Sequence, residues 1–133
     1  MTAAYCVPPS LVGDVWPFVS ERLLAAMRGG TGSFKILESD VLSGGALLWV
    51  AMQGEKIVTA AVTQIGLGVD GKVCEIVACG GTDTLHHLHL LKKIEDYARN
   101  ENCHATRIIG RKGWIRALPD YKAIRFVLEK ELV

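Results

Sequence analysis

The chain has 133 residues, 50% hydrophobic and 22% charged, with a formal net charge of +1, which fits one globular domain over residues 1–133 and excludes a disordered or fibrous protein. Its longest apolar run, Ala46 to Met52, is far too short to cross a bilayer, and the near-neutral charge argues against a nucleic-acid partner. Cys6, Cys74, Cys79 and Cys103 lack disulfide-type spacing and MTAAYCVPPS lacks a secretory signal, so the expected setting is a reducing cytoplasm.

Residues 1–10 read as an irregular lead-in, because Pro8-Pro9 opposes a regular element there. A first helix is predicted from near Val12 to Arg28, with Trp16, Val19, Leu23 or Leu24, and Met27 on one face and Gly29-Gly30 as its stop. FKILESDVLS, residues 34–43, fits a second helix with Phe34, Leu37 and Val41 inward, closed by Gly44-Gly45. Strands are predicted at Leu47 to Met52 and Ile57 to Ile65, joined by the hairpin turn Gln53-Gly54-Glu55-Lys56. Asp70-Gly71 is a type I′ turn signal, and the Val73 to Cys79 strand beyond it reads as apolar on both faces and central. Gly80-Gly81 ends that strand. Thr82, Asp83 and Thr84 are all good N-caps, so the next helix begins within them. Leu85, Leu88, Leu91, Ile94 and Ala98 form its apolar stripe, Lys92, Lys93, Asp96 and Arg99 lie off it, and Asn100 or Asn102 ends it. Ala105 to Ile109 makes a strand parallel to Val73–Cys79, because the crossover between them is a helix with short connections. Gly113 to Leu118 reads as a short helix stopped by Pro119, and Ala123 to Lys130 as a closing strand. The fold class is therefore α/β, one mixed sheet with helices on both faces.

Glu75 is the sole carboxylate on the Val73–Cys79 strand. Apolar surroundings can lift such a group into the general-base range, and pairing with a surface cation is the competing reading. Bare amides at the start of the following helix form an anion seat. His86, His87 and His89 invite a metal, but zinc needs further donors, and Cys103 and His104 stand roughly 20 Å away along the helix at 1.5 Å per residue. No metal is expected. Arg107, Arg111, Lys112 and Arg116 cluster near Trp114, which reads as cations facing water beside a packed aromatic. Residues 1–91 carry five basic and eight acidic side chains, net −3, and residues 92–133 carry ten and six, net +4, an asymmetry that a solvated helix surface accounts for.

The phrases LLWVAMQGEKIVTAAVTQI, CEIVACGG and LLKKIEDYARNENCHATRIIGRKGWIRAL, in this element order, resemble the GNAT (N-acetyltransferase-like) superfamily. Within it they are similar to small phage-encoded proteins whose helix ends in A-R-x-x-x-C before a strand and G-R-x-G-W. The resemblance implies acetyl-CoA as cofactor. The pantetheine arm would pair with the backbone of Val77 to Cys79, and the pyrophosphate would rest on the amides of Gly80, Gly81, Thr82 and Thr84. It also implies Glu75 as base, and a small-molecule or protein amine as acceptor. The family's loop carries a Gln or Arg and two spaced glycines, whereas this chain has Gly80-Gly81-Thr82-Asp83-Thr84. Where the family places its acid tyrosine, this chain has Leu118, and Tyr121, three residues later and after Pro119, could substitute only if the turn brings it back. The alternative that these departures imply is a catalytically silent phage or mobile-element module, meeting a virion or host protein in the host cytoplasm or the virion.

Overall fold

In the computed structural model the described residues are 2–27, 33–81, 84–108, 118, 120–122, 128 and 130–132. A five-stranded sheet runs in the order β1 (Thr2–Cys6), β2 (Leu47–Gln53), β3 (Lys56–Gly68), β4 (Gly71–Gly81) and β5 (Ala105–Ile108). The first three pairings are antiparallel and β4–β5 is parallel. Helices α1 (Val12–Met27) and α2 (Phe34–Ser43) cover one face, and α3 (Thr84–Asn100), the crossover between β4 and β5, covers the other.

The N-terminal segment is not an irregular lead-in. Thr2–Cys6 pairs with Gln53–Trp49 as an edge strand, and the chain breaks only at Pro8, where Pro9–Leu11 forms a single 3-10 turn. Helices α1 and α2 match the expected bounds. Trp16, Val19 and Leu23 are buried on α1, and Leu24 is exposed. Trp16 stacks on Phe34 of α2, and its indole N–H donates to Glu38 Oε2 at 2.8 Å. Ser33 accepts from the Ile36 amide at the start of α2, and left-handed Gly44 closes it. On the opposite layer, Trp49 meets Tyr97 edge-on and donates to Thr63 Oγ1 at 2.9 Å.

The β2–β3 turn closes at Gln53↔Lys56 with Gly54 at φ +64°, as a two-residue hairpin requires. The β3–β4 turn is not type I′. Its central residues are Val69 and Asp70, and neither has the positive φ that type I′ demands of both positions.

Strand β4 is interior, as expected, but β3 occupies the middle of the described sheet. Nor is β4 uniformly apolar on two faces. Val62 pairs with Ala78 and Thr63 with Ile76, so Val77 is the extra residue of a β-bulge. Cys74 and Ile76 face α3, Val77 and Ala78 both turn toward α1 and α2, and Cys79 returns to the α3 side.

Helix α3 begins at Thr84 and ends in a left-handed Asn102 at φ +62°. The Cys103 amide donates to Ala98 O at 2.9 Å and the Asn102 amide to Arg99 O at 3.1 Å, the paired bonds of a Schellman motif. Its buried stripe differs from the expected one. Leu90, Leu91, Ile94 and Ala98 are buried, while Leu88 is 39% exposed. At about 100° per residue, Leu88 lies more than a quarter turn from the centre of that arc.

The expected Gly113–Leu118 helix lies outside the described residues apart from Leu118, which is buried against the α3-side core. Of the expected closing strand, Leu128 and Lys130 are described, and neither lies in a strand. Leu128 is exposed and has no strand partner among the described residues.

Candidate functional site

The parallel pairing of β4 with β5 covers Val73–Ile76 against Ala105–Ile108. Past Ile76, the edge of β4 from Val77 to Gly81 that faces β5 has no strand partner among the described residues. That edge leads into the start of α3, whose first amides have no partner within the helix. An extended ligand could thus pair with β4 through backbone groups and rest its anionic end on α3. Beneath the same place, Ile76, Cys79 and Ile108 face Leu90, Leu91 and Ile94 across a small apolar cleft.

Two close approaches shape the strand end. A Cβ on Gly80 would stand 2.7 Å from the Arg22 carbonyl oxygen, so Gly80 is where α1 crosses β4 in backbone contact. Arg22 is fixed there by its guanidinium, which donates to Ile57 O at 2.6 Å. A Cβ on Gly81 would collide with Thr59 Oγ1 and stand 2.6 Å from Val58 O. Both glycines are therefore demanded by packing. Thr59 pairs in register with Gly81 and Ala51, and Ala51 belongs to the α3-side core, so Thr59 faces the layer in which α3 begins. Its hydroxyl is fully buried and has no hydrogen-bond partner among the described residues, a condition that costs about 1–3 kcal/mol.

Of the other sequence candidates, Glu75 lies on the α1/α2 side of β4, two residues before the bulge. Its carboxylate accepts from Arg107 Nη1 at 3.3 Å, with both side chains partly exposed. The paired reading of Glu75 is thus the observed one. Gln64 stands beside it in register and donates to Asp40 Oδ2 of α2 at 3.1 Å. A polar row therefore crosses three strands on this face. Val77 contributes its backbone edge, since the bulge turns its side chain toward α1 and α2. Burial pushes the Cys79 thiol up to about 12, which suits a lining group and not a nucleophile. Thr84 is the first residue of α3. Thr82 and Asp83 lie outside the described residues, as do Arg111, Lys112, Trp114 and Arg116. Among the described residues no cluster of potential metal ligands occurs.

Tyr121 does fold back, but not as a free acid. Its hydroxyl donates to Glu95 Oε2 at 2.6 Å and lies 2.5 Å from Thr106 Oγ1. Burial, followed by the bond to the Glu95 carboxylate, raises its pKa. Thr106 pairs with Cys74, below the end of the β4–β5 ladder. Sequence reasoning did not single out Thr59 and Arg22. Pairing of Thr59 with a double glycine was their one visible signal, and it needs the register to be known.

Among the described residues the seat suits acetyl-CoA in kind: a strand edge without a partner for the pantetheine amides, a helix N-terminus for the phosphates and a hydroxyl without a partner beside Gly81. No protein-family model matches the chain, and neither does any curated protein sequence. Solved structures do match. A Pyrococcus furiosus protein assigned as an acetyl transferase superposes with a TM-score of 0.73 at 16% identity, over 99% of this chain and 100% of its own. A Clostridium acetobutylicum protein, assigned as an acetyltransferase and solved with acetyl-CoA, gives 0.66 at 11% identity, over 100% and 96%. A GNAT family acetyltransferase of Staphylococcus aureus gives 0.65 at 13%, over 98% of each chain. With a mixed sheet, a β4–α3–β5 crossover and these neighbours, the chain has the GNAT acetyltransferase fold.

Proposed function

We propose that the protein binds acetyl-CoA along the β5-facing edge of β4 and passes its acetyl group to an amine. The observation that carries this reading is the edge Val77–Gly81, without a strand partner among the described residues on its β5 side, running toward the N-terminus of a 17-residue helix. Acetyl-CoA supplies a thioester carbonyl activated toward nitrogen, with CoA leaving as the thiol when the C–N bond forms. The backbone of Val77 to Cys79 aligns the pantetheine arm, and the amides of Gly80, Gly81, Thr82 and Thr84 hold the phosphates. Glu75 is the base that takes the amine proton. Its ion pair with Arg107, in register on β5, holds the carboxylate in place beside the β4 bulge. The polar row Asp40, Gln64 and Glu75 supplies acceptors for an incoming ammonium group, on a small molecule or a protein.

Calorimetry with acetyl-CoA is the test, followed by detection of released CoA thiol with a panel of primary amines. Micromolar binding and Glu75-dependent thiol release are expected, and no heat at millimolar acetyl-CoA would end the reading. A second reading, a silent GNAT-fold module of a phage that contacts a virion or host protein, draws on Tyr121, whose hydroxyl is committed to Glu95 and Thr106. Binding without thiol release under any amine would favour it.

A further inference from the structure

The buried hydroxyls of β3 divide sharply. Thr63 Oγ1 accepts the Trp49 indole N–H. Thr59 Oγ1, with the residue fully buried, is the one buried side-chain polar atom without a partner among the described residues. Burial of a hydroxyl without a partner opposes folding, and such atoms in a folded protein call for a cause. Here it abuts Gly81, three residues before the first turn of α3, on the face α3 covers. Isosteric Val would satisfy the same packing without the penalty, so shape alone does not explain a threonine.

We infer that Thr59 is a further cofactor-binding residue. Its hydroxyl, without a partner among the described residues, donates to a phosphate oxygen of CoA seated on the N-terminal amides of α3. The chemistry favours this partner. An anion drawn to the positive end of the helix dipole is a strong acceptor, and a hydroxyl on the same face beside Gly81 can make a charge-assisted bond to it. Gly81 serves the same end, since any side chain there would occupy the space of the hydroxyl. This inference rests on the CoA reading above and adds to it a side-chain contact from a neighbouring strand, in a loop whose described glycines offer backbone alone.

The test compares wild type, Thr59→Val and Thr59→Ser by calorimetry with CoA and by thermal melting without ligand. Thr59→Val should melt no lower than wild type, because it removes an unpaired group and keeps the shape and strand preference. It should nevertheless bind CoA about tenfold more weakly, the factor of one such hydrogen bond. Thr59→Ser keeps the hydroxyl and should bind within about threefold of wild type. Equal CoA affinity in wild type and Thr59→Val overturns the inference while leaving the CoA reading intact. A melting temperature several degrees lower in Thr59→Val also overturns it, by showing that the hydroxyl already has a partner. Absence of CoA binding by wild type removes both.

Discussion

At Tyr121 a single phenol ties three segments together, through Glu95 on α3 and Thr106 on β5. Tyr121→Phe keeps the ring against the core and loses both bonds. With the residue partly exposed, water can replace them, so the expected cost in urea unfolding is about 0.5–1.5 kcal/mol. No loss at all would show that the network is solvent-exchanged and idle. The same residue sets a pH dependence. Its folded pKa is raised above the ordinary phenol value of about 10, so the fold favours the protonated form. That stabilisation is complete below pH 10 and fades as the pH rises past it. Wild type should therefore lose stability in alkali more steeply than Tyr121→Phe, and parallel curves would refute the assignment. The thiols give an independent check. Burial pushes Cys74 up to about 11 and Cys79 up to about 12, while Cys6 is exposed on the edge strand. Since the thiolate is the reactive form, a disulfide reagent should modify Cys6 first and reach Cys74 and Cys79 on unfolding. Equal rates for Cys79 and Cys6 in the native protein would mean that the cleft is open. The sequence marks Tyr121 as the phenol that could stand in for the family's acid tyrosine if the chain turns back after Pro119. It could not show Glu95 or Thr106 as its partners, because that contact spans separations of 26 and 15 residues.

Among the elements, α3 is the one that its sequence described best and still misaligned. Its start within Thr82–Thr84, its end at Asn100 and its Asn cap follow from cap chemistry that is local to the chain. The choice of buried face does not, because Leu85, Leu88, Leu90 and Leu91 together cover most of a helical circle, and the sheet selects among them. Leu91→Ala and Leu90→Ala should each cost about 2–5 kcal/mol in urea unfolding, whereas Leu88→Ala should cost less than about half a kcal/mol. A loss at Leu88 equal to that at Leu91 would place the helix on the wrong face. Strand β1 was hidden for a different reason. TAAYC has two alanines and no clear alternation, and edge strands draw their order from the neighbour they pair with. The bulge at Val77 was equally hidden, since VCEIVACGG reads as a smooth apolar run until pairing with β3 leaves one residue over. Yet that residue is what sends Cys79 and Ala78 to opposite layers. The site thus depends on a feature of register, which a single strand cannot express.

At the scale of the whole molecule the sheet separates two hydrophobic layers, and β3 serves both. Ala61 and Val58 join the α3-side core, and Ala60 and Val62 join the core beneath α1 and α2. Residues Thr59 to Thr63 are essentially inaccessible and pair with β2 on one side and β4 on the other. Opening any of these amides requires breaking two ladders and wetting both cores, so their exchange should follow global unfolding. Among the described residues strand β1 is held on one side, and Ala4 and Val7 anchor it and its continuation. Its outer amides can therefore open by fraying alone. Native-state hydrogen exchange should then rank the amides of Thr59–Thr63 slowest and those of Thr2–Cys6 fastest among the strands. Protection at β1 equal to that at β3 would mean that another chain covers the β1 edge. Adding acetyl-CoA should slow exchange at Val77–Gly81 and at the first turn of α3 without changing β1, because the proposed ligand joins the sheet at the opposite end of the strand order. Slowing confined to β1 would place the ligand at the other edge and leave the Val77–Gly81 edge without a role.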